Sequence, residues 1–333
     1  MAAITTPLRF RRIPKETVWG GRVLERVPGI ALPAGMQVGE TWELVDREAE
    51  NSVVDAGPHA GVRLRELMER APQDLLGRAS ATAEGRFPLL VKYIDATRNL
   101  SIQVHPDDAA AARLGDGAEG KTEAWYFLAA EPGARILAGI APGVDAASFA
   151  RDAGTERTPD LLRSFDVVPG ECLCVPGGTV HSICAGVTLL EVQQNSDTTF
   201  RIWDWGRVGR ELHLEQARAC AKVGFDPGAP VRPAWREVAD GLRAAELVAT
   251  EWFGMTALRL EGRARLSTEG AVRIYVVVAG RGSLGTEGVG AGDAGAEVEL
   301  GPGDTWLVPA AAGEHWIRSG PGGLSIVRLR ADA

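Results

Sequence analysis

Short apolar runs recur along the chain, most of them closed off by Gly, Pro, Asn or Asp: FPLLVKYIDA (87–96), LSIQVH (100–105), TEAWYFLA (122–129), GECLCVP (170–176), TLLEVQ (188–193), RIYVVVAG (273–280) and GDTWLVP (303–309). Runs of this length and punctuation predict strands, and their number predicts a mainly β chain built as an antiparallel barrel or sandwich. Helical spacing is rarer. RLRELMERAPQDLLG (63–77) sets Leu64, Leu67 and Met68 on one face, and ELHLEQARACAKVG (211–224) ends at a glycine suited to a helix cap. A proline-rich stretch from Asp226 to Pro233 predicts a linker, placed at 226–240.

The hairpin pattern occurs twice. PGECLCVPGGTVH (169–181) and PGDTWLVPAAAGEH (302–315) share Pro-Gly, an acidic residue, a short β run, Val-Pro, a small-residue turn and a histidine; the second turn is one residue longer. Upstream, WYFLAAEPG (125–133) is echoed by IYVVVAGRG (274–282). A repeated unit of this kind predicts two related barrels, one within 1–225 and one within 241–333.

Side chains two apart on a strand share a face. In SIQVHPDD (101–108) that unites Gln103 and His105 ahead of a proline stop, and in GKTEAW (120–125) it unites Lys121, Glu123 and Trp125. His181 follows a Pro-Gly-Gly turn where a strand re-enters. Two imidazoles and a carboxylate from three strands suit a divalent ion such as zinc, at roughly 2.0–2.2 Å per bond, and Gln103 could add a neutral amide oxygen. Taken singly, each of the five histidines (His59, His105, His181, His213 and His315) is as well read as structural. In the second copy the alignment puts Val272 where Glu123 stands, with no Gln-x-His before it, so that unit is expected to be metal-free although it keeps His315.

Composition narrows the function. The 333 residues are 45% apolar and 24% charged, an ordinary globular balance, and the length predicts two domains. A net charge of −8 argues against a nucleic-acid partner. The four cysteines (Cys172, Cys174, Cys184 and Cys220) form no CxxC pair and read as small buried hydrophobes. The N-terminus lacks a secretory pattern and no apolar run reaches about 18 residues, so the expected location is the cytoplasm with no membrane contact. Neither a GxxxxGK[ST] loop nor a GxGxxG turn occurs, so no nucleotide cofactor is expected; the glycine-rich GRGSLG (280–285) reads as a hairpin turn.

The runs FPLLVKYIDATRNLSIQVHPDD, GKTEAWYFL, VPGGTVHSI and LLEVQQNSDTTFRIWDWGR, in that order, resemble the type I mannose-6-phosphate isomerase (phosphomannose isomerase) family, a cupin family. WGG (19–21) and GETWEL (39–44) resemble its N-terminal motifs, and the likeness covers about residues 7–225. The resemblance implies two cupin-type (jelly-roll) β-barrels with a few helical insertions. It also implies one zinc ion per chain on Gln103, His105, Glu123 and His181, Lys121 and Arg201 in the substrate pocket, and Glu191 and Asp197 at acidic positions of the active-site region.

The implied reaction interconverts mannose 6-phosphate and fructose 6-phosphate by moving a proton between C2 and C1 through a cis-enediol. Such a reaction needs oxyanion stabilisation and a proton carrier. Glu191, Lys121, a zinc-bound water or His105 could carry the proton. Arg201 suits phosphate or the enediolate through its planar fork, and Lys121 does so as a point charge. Two other readings fit the same residues: a non-catalytic sugar-phosphate-binding cupin, and a metal-dependent oxygenase using two histidines and a carboxylate.

Overall fold

The computed structural model describes residues 3–287 and 295–332. Strands dominate, as the apolar runs predict, and they form three antiparallel sheets, none closed into the expected barrel. A six-stranded sheet runs in the order Ile13–Gly21, Val38–Leu44, Leu89–Ala96, Val187–Gln194, Glu123–Ala130, Cys172–Val175. A five-stranded sheet runs Phe200–Trp203, Ile102–Val104, His181–Ile183, Arg135–Ile140, Leu162–Asp166. The third sheet has nine strands, centred on the long strands Arg273–Thr286 and Glu314–Ala331.

Period-two alternation explains how the layers stack. On the five-stranded sheet, Ile102, Val104 and Ile202 face outward. There they pack with Phe149, Ala217 and Cys220 of the helices Ala146–Asp152 and Leu214–Cys220. The inner faces of the five- and six-stranded sheets meet through Ile94, Trp125, Phe127, Ile136, Ile183 and Leu189. The outer face of the six-stranded sheet is apolar as well: Val91, Tyr93, Leu190 and Val192 pack with Phe253, Met255, Ile274, Val327 and Leu329 of the nine-stranded sheet. A strand buried on both faces loses the alternation that marks an exposed one, so Leu89–Ala96 reads as a continuous run.

Four local features differ from the sequence reading. The helix expected over 63–77 is two short ones, Leu64–Arg70 and Pro72–Leu76, because Pro72 has no N–H to continue the ladder. The helix expected over 211–224 is confined to Leu214–Cys220. The 226–240 stretch carries a strand, Arg236–Ala239, and an isolated bridge from Val231 to Cys172. Finally, GRGSLG is not a hairpin turn: it continues the strand Arg273–Thr286, with register breaks between Val277 and Ala279 and between Gly280 and Gly282. The glycine is needed there because a Cβ on Gly282 would lie 2.2 Å from the Arg318 carbonyl oxygen. Among the described residues no helix is long and apolar enough to cross a membrane.

Candidate active site

The inner face of the five-stranded sheet carries one row of polar side chains across three neighbouring strands. His181 pairs with Gln103, and Gln103 pairs with Arg201. Facing it on the six-stranded sheet are two rows, Gln193–Glu123 and Lys92–Glu191–Trp125. The Pro-Gly-Gly turn ties the two histidine-bearing segments together. The Gly178 N–H donates to the His105 carbonyl at 2.7 Å, and Gly178 has φ +91°, which a side chain would strain.

Three donor groups converge in the gap. His105, Glu123 and His181 are each 1% exposed, and one ligand atom from each lies within 4.8 Å of the others, the one such grouping among the described residues. His105 Nδ1 lies 2.8 Å from the Thr198 carbonyl oxygen and His181 Nδ1 lies 2.8 Å from the Thr179 carbonyl oxygen. A carbonyl can only accept, so both Nδ1 atoms carry the proton and both Nε2 lone pairs point inward. Burial holds both imidazoles below their ordinary pKa, with the Lys121 charge adding to the effect at His105, so both are neutral. Burial would raise the Glu123 carboxyl, but Lys121 and the two histidines outweigh it and hold it well below the carboxylate range.

The donor chemistry of this set suits zinc. Glu123 Oε2 stands 3.5 Å from His105 Nε2 and Oε1 stands 3.3 Å from His181 Nε2, close to the separation of about 3.4 Å between N and O ligand atoms on a tetrahedral zinc ion. A positive group is already drawn to the convergence point: Lys121 Nζ lies 2.8 Å from Glu123 and 3.0 Å from His105 Nε2. Gln103 reaches the cluster through its amide, 3.4 Å from His181 Nε2. A half-turn of the amide, whose oxygen now accepts from Ser101 Oγ at 3.2 Å, would bring the oxygen inward as a fourth donor.

A family model for the catalytic domain of type I phosphomannose isomerase matches residues 8–124. A mannose-6-phosphate isomerase of Bacillus subtilis is 35% identical over 287 residues, covering 84% of this chain and 88% of its own. The chain belongs to the type I phosphomannose isomerase family. A probable mannose-6-phosphate isomerase of the same organism is 31% identical over 319 residues, 94% of this chain and 96% of its own. The crystal structure of the mannose 6-phosphate isomerase from Bacillus subtilis superposes with a TM-score of 0.86 at 29% identity, covering 97% of this chain and 99% of that one. The family is one of isomerases.

Arg201 sits beside Gln103 by strand register; its Nη1 donates to the Glu211 carbonyl at 2.7 Å while its buried Nε has no partner among the described residues. Glu191 is 2% exposed, with Lys92 Nζ at 3.0 Å and the Trp125 indole N–H donating to it at 3.0 Å. Asp197 stands apart from the donor cluster, its side chain 65% exposed and bound to Arg47.

Two further charged residues beside Glu191 have no role in the sequence reading. Lys92 and Glu40 lie 3.4 Å apart, and Glu40 accepts from the Trp42 indole at 2.8 Å. The signal for Lys92 is present in FPLLVKYIDA: one lysine inside a strand whose eight residues are all buried needs a buried partner. Burial works against the Lys92 ammonium, but Glu191 and Glu40 outweigh it and hold its pKa well above the usual lysine value.

The second copy of the hairpin needs a correction. Glu123 pairs with Val175, just before Pro176, and in the second copy Arg273 pairs with Val308, just before Pro309. The counterpart of Glu123 is therefore Arg273, one residue along from Val272, and the counterpart of Trp125 is Tyr275.

Proposed function

We propose that the protein interconverts mannose 6-phosphate and fructose 6-phosphate, with one zinc ion held by Gln103, His105, Glu123 and His181. The observation that carries this reading is the tautomer of the two histidines: both are fixed by backbone carbonyls so that their Nε2 lone pairs meet a deprotonated carboxylate in a buried gap. Bound there, zinc would polarise the sugar oxygens as a Lewis acid. The sequence repeat and the stacked sheets support reading the chain as two cupin-type units, with the second free of metal.

The chain's own residues supply the rest. Lys121 and Arg201 bring positive charge to the pocket from opposite sheets and are assigned to the phosphosugar's anionic groups. Arg201 offers two parallel N–H bonds and Lys121 a point charge. The proton moved between C2 and C1 needs a carboxylate whose pKa is not too low. Among Glu40, Glu123 and Glu191, which share the inner face of the six-stranded sheet, only Glu191 is shifted upward. Burial and the Glu123 charge push it up against the pull of Lys92 and Lys121, whereas Glu40 and Glu123 are held down. Glu191 is therefore assigned as the proton carrier, with the Trp125 indole and Lys92 fixing its orientation. All four cysteines are free, which fits a reducing compartment such as the cytoplasm.

The test is a coupled assay for fructose 6-phosphate formed from mannose 6-phosphate, on chelator-treated protein with and without added zinc. Turnover that returns with zinc is the expected result. Folded protein that stays inactive with zinc but still binds the phosphosugar would favour the non-catalytic reading.

A further inference from the structure

Arg47 lies outside every motif and touches none of the donor groups, yet it joins the two loops that orient them. Its place is set by a tight corner after the strand Val38–Leu44. The Arg47 N–H donates to the Glu50 carbonyl at 2.9 Å, and the fully buried Asp46 accepts from the Asn51 amide at 2.6 Å, Arg65 Nε at 3.0 Å and the Phe87 N–H at 2.7 Å. From that anchor the Arg47 guanidinium makes three bonds. Nη1 donates to the Asn195 carbonyl at 2.6 Å and to Glu119 at 2.7 Å, and Nη2 donates to Asp197 at 3.0 Å.

These contacts bind the 195–198 loop to the segment that precedes Lys121. The same two stretches are joined again by the Glu119 N–H to Thr198 Oγ1 at 3.0 Å and by Ser196 Oγ to the Glu119 carbonyl at 3.1 Å. The far end of this loop is the Thr198 carbonyl, which accepts from His105 Nδ1 at 2.8 Å; three residues later comes Arg201.

Resting on the isomerase reading above, we propose that Arg47 is a positioning residue of the site. By clamping Asn195, Asp197 and Glu119 it holds the Thr198 carbonyl against His105, which keeps the imidazole proton on Nδ1 and turns the Nε2 lone pair to the metal. Asp197 then serves as an anchor for Arg47. A carbonyl or carboxylate behind a metal-ligating histidine changes metal affinity or activity by about 10- to 100-fold when lost; Arg47 acts one step further out, so the lower end of that range is expected.

The experiment compares full-length wild-type protein with Arg47→Ala, Arg47→Gln and Arg47→Lys. Zinc affinity is read by competition with a chromophoric chelator, kcat and KM by the coupled assay, and melting temperature separately. The expected result is zinc affinity about tenfold weaker in Arg47→Ala and Arg47→Gln. It is accompanied by a fall in kcat that saturating zinc only partly restores, and by partial rescue in Arg47→Lys, which keeps the charge but not the three-bond fork. A lower melting temperature with wild-type zinc affinity and kcat below the melt would overturn the proposal, since Arg47 would then only brace the fold. If wild-type protein itself shows neither zinc binding nor turnover, the isomerase reading fails instead, which separates the two outcomes.

Discussion

His181 and His315 hold matching places in the two halves of the chain, and only one of them faces a carboxylate. Each follows a small-residue turn and each sets Nδ1 against the carbonyl two residues before it, at 2.8 Å for His181 and 3.0 Å for His315. Each ring also meets an aromatic ring edge-on, Trp125 at 5.4 Å between centroids and Tyr275 at 5.6 Å. The difference lies in what meets Nε2. In the first half it is Glu123, at 3.3 Å; in the second it is the Tyr275 hydroxyl, at 2.7 Å. Burial pushes the Tyr275 phenol up to about 12, so it stays protonated and donates into the lone pair that the first half leaves for a ligand. Where Glu123 would stand there is a buried arginine, Arg273, paired with Glu269 at 2.8 Å. Arg273 and Tyr275, together with the missing Gln-x-His pair, leave the second half a self-satisfied core where the first half gathers donor groups. A Coulombic attraction becomes a repulsion, and an open lone pair becomes a closed hydrogen bond.

The comparison breaks most readily at Glu123. Glu123→Gln keeps the shape and removes the only negative charge of the donor set. Zinc content should fall, and turnover should drop by about 10³-fold or more, the loss of several kcal/mol of charge stabilisation. Metal analysis alongside the coupled assay reads both, and full zinc occupancy with full turnover would remove Glu123 from the site. His181→Ala should lower zinc and activity together, a link that fails if metal is lost while the rate stays intact.

Arg201→Ala separates pocket from metal. Zinc content should match wild type while kcat/KM falls about 10- to 100-fold, as for one lost charge-assisted bond. Unchanged kinetics would end its assigned role. Lys92→Met acts through pH. Losing the positive partner removes a force that lowers the Glu191 pKa, so Glu191 should protonate at higher pH and the acid limb of the kcat/KM profile should move upward. A profile that stays in place would mean that Glu191 does not carry the proton. The smallest effect belongs to the second half. Tyr275→Phe leaves His315 Nε2 unsatisfied and should cost about 1–3 kcal/mol in stability, read by denaturant unfolding, with turnover within twofold. His315→Ala should likewise spare turnover, and a large loss of rate in either variant would mean that the second half contributes to the reaction.

What could be read from the sequence follows the same division. Strand period paired Gln103 with His105, and Glu123 with Lys121 and Trp125, while a Pro-Gly-Gly turn marked His181; bringing them together as one donor set rested on their chemistry and on the family resemblance. Strand register could not be read. It depends on hydrogen bonds between segments far apart, and an alignment of apolar runs that slips by one residue put Val272 in place of Arg273. Nor could the partners of the supporting groups. Lys92 stands out as one lysine in an apolar run, but its partners Glu40 and Glu191 lie on other strands, and Arg47 is bound by Asp197, 150 positions away. The breaks at Pro72 and in the 280–285 stretch show the limit of local rules, since proline ended a helix as chemistry demands while glycines sat inside a strand to admit a close neighbour.

The nine-stranded sheet begins with the strand Leu8–Arg9, whose ladder partner is Thr305–Val308. Leu8 therefore leaves the ribosome well before its partner Leu307. At about 5–20 residues per second, the roughly 300 intervening residues take on the order of 15–60 s to be made. Throughout that interval Leu8, 2% exposed in the finished protein, has an unfilled place beside it. The same wait applies to the outer face of the six-stranded sheet, whose Val91, Tyr93, Leu190 and Val192 are covered only when Ile274, Val327 and Leu329 have been made.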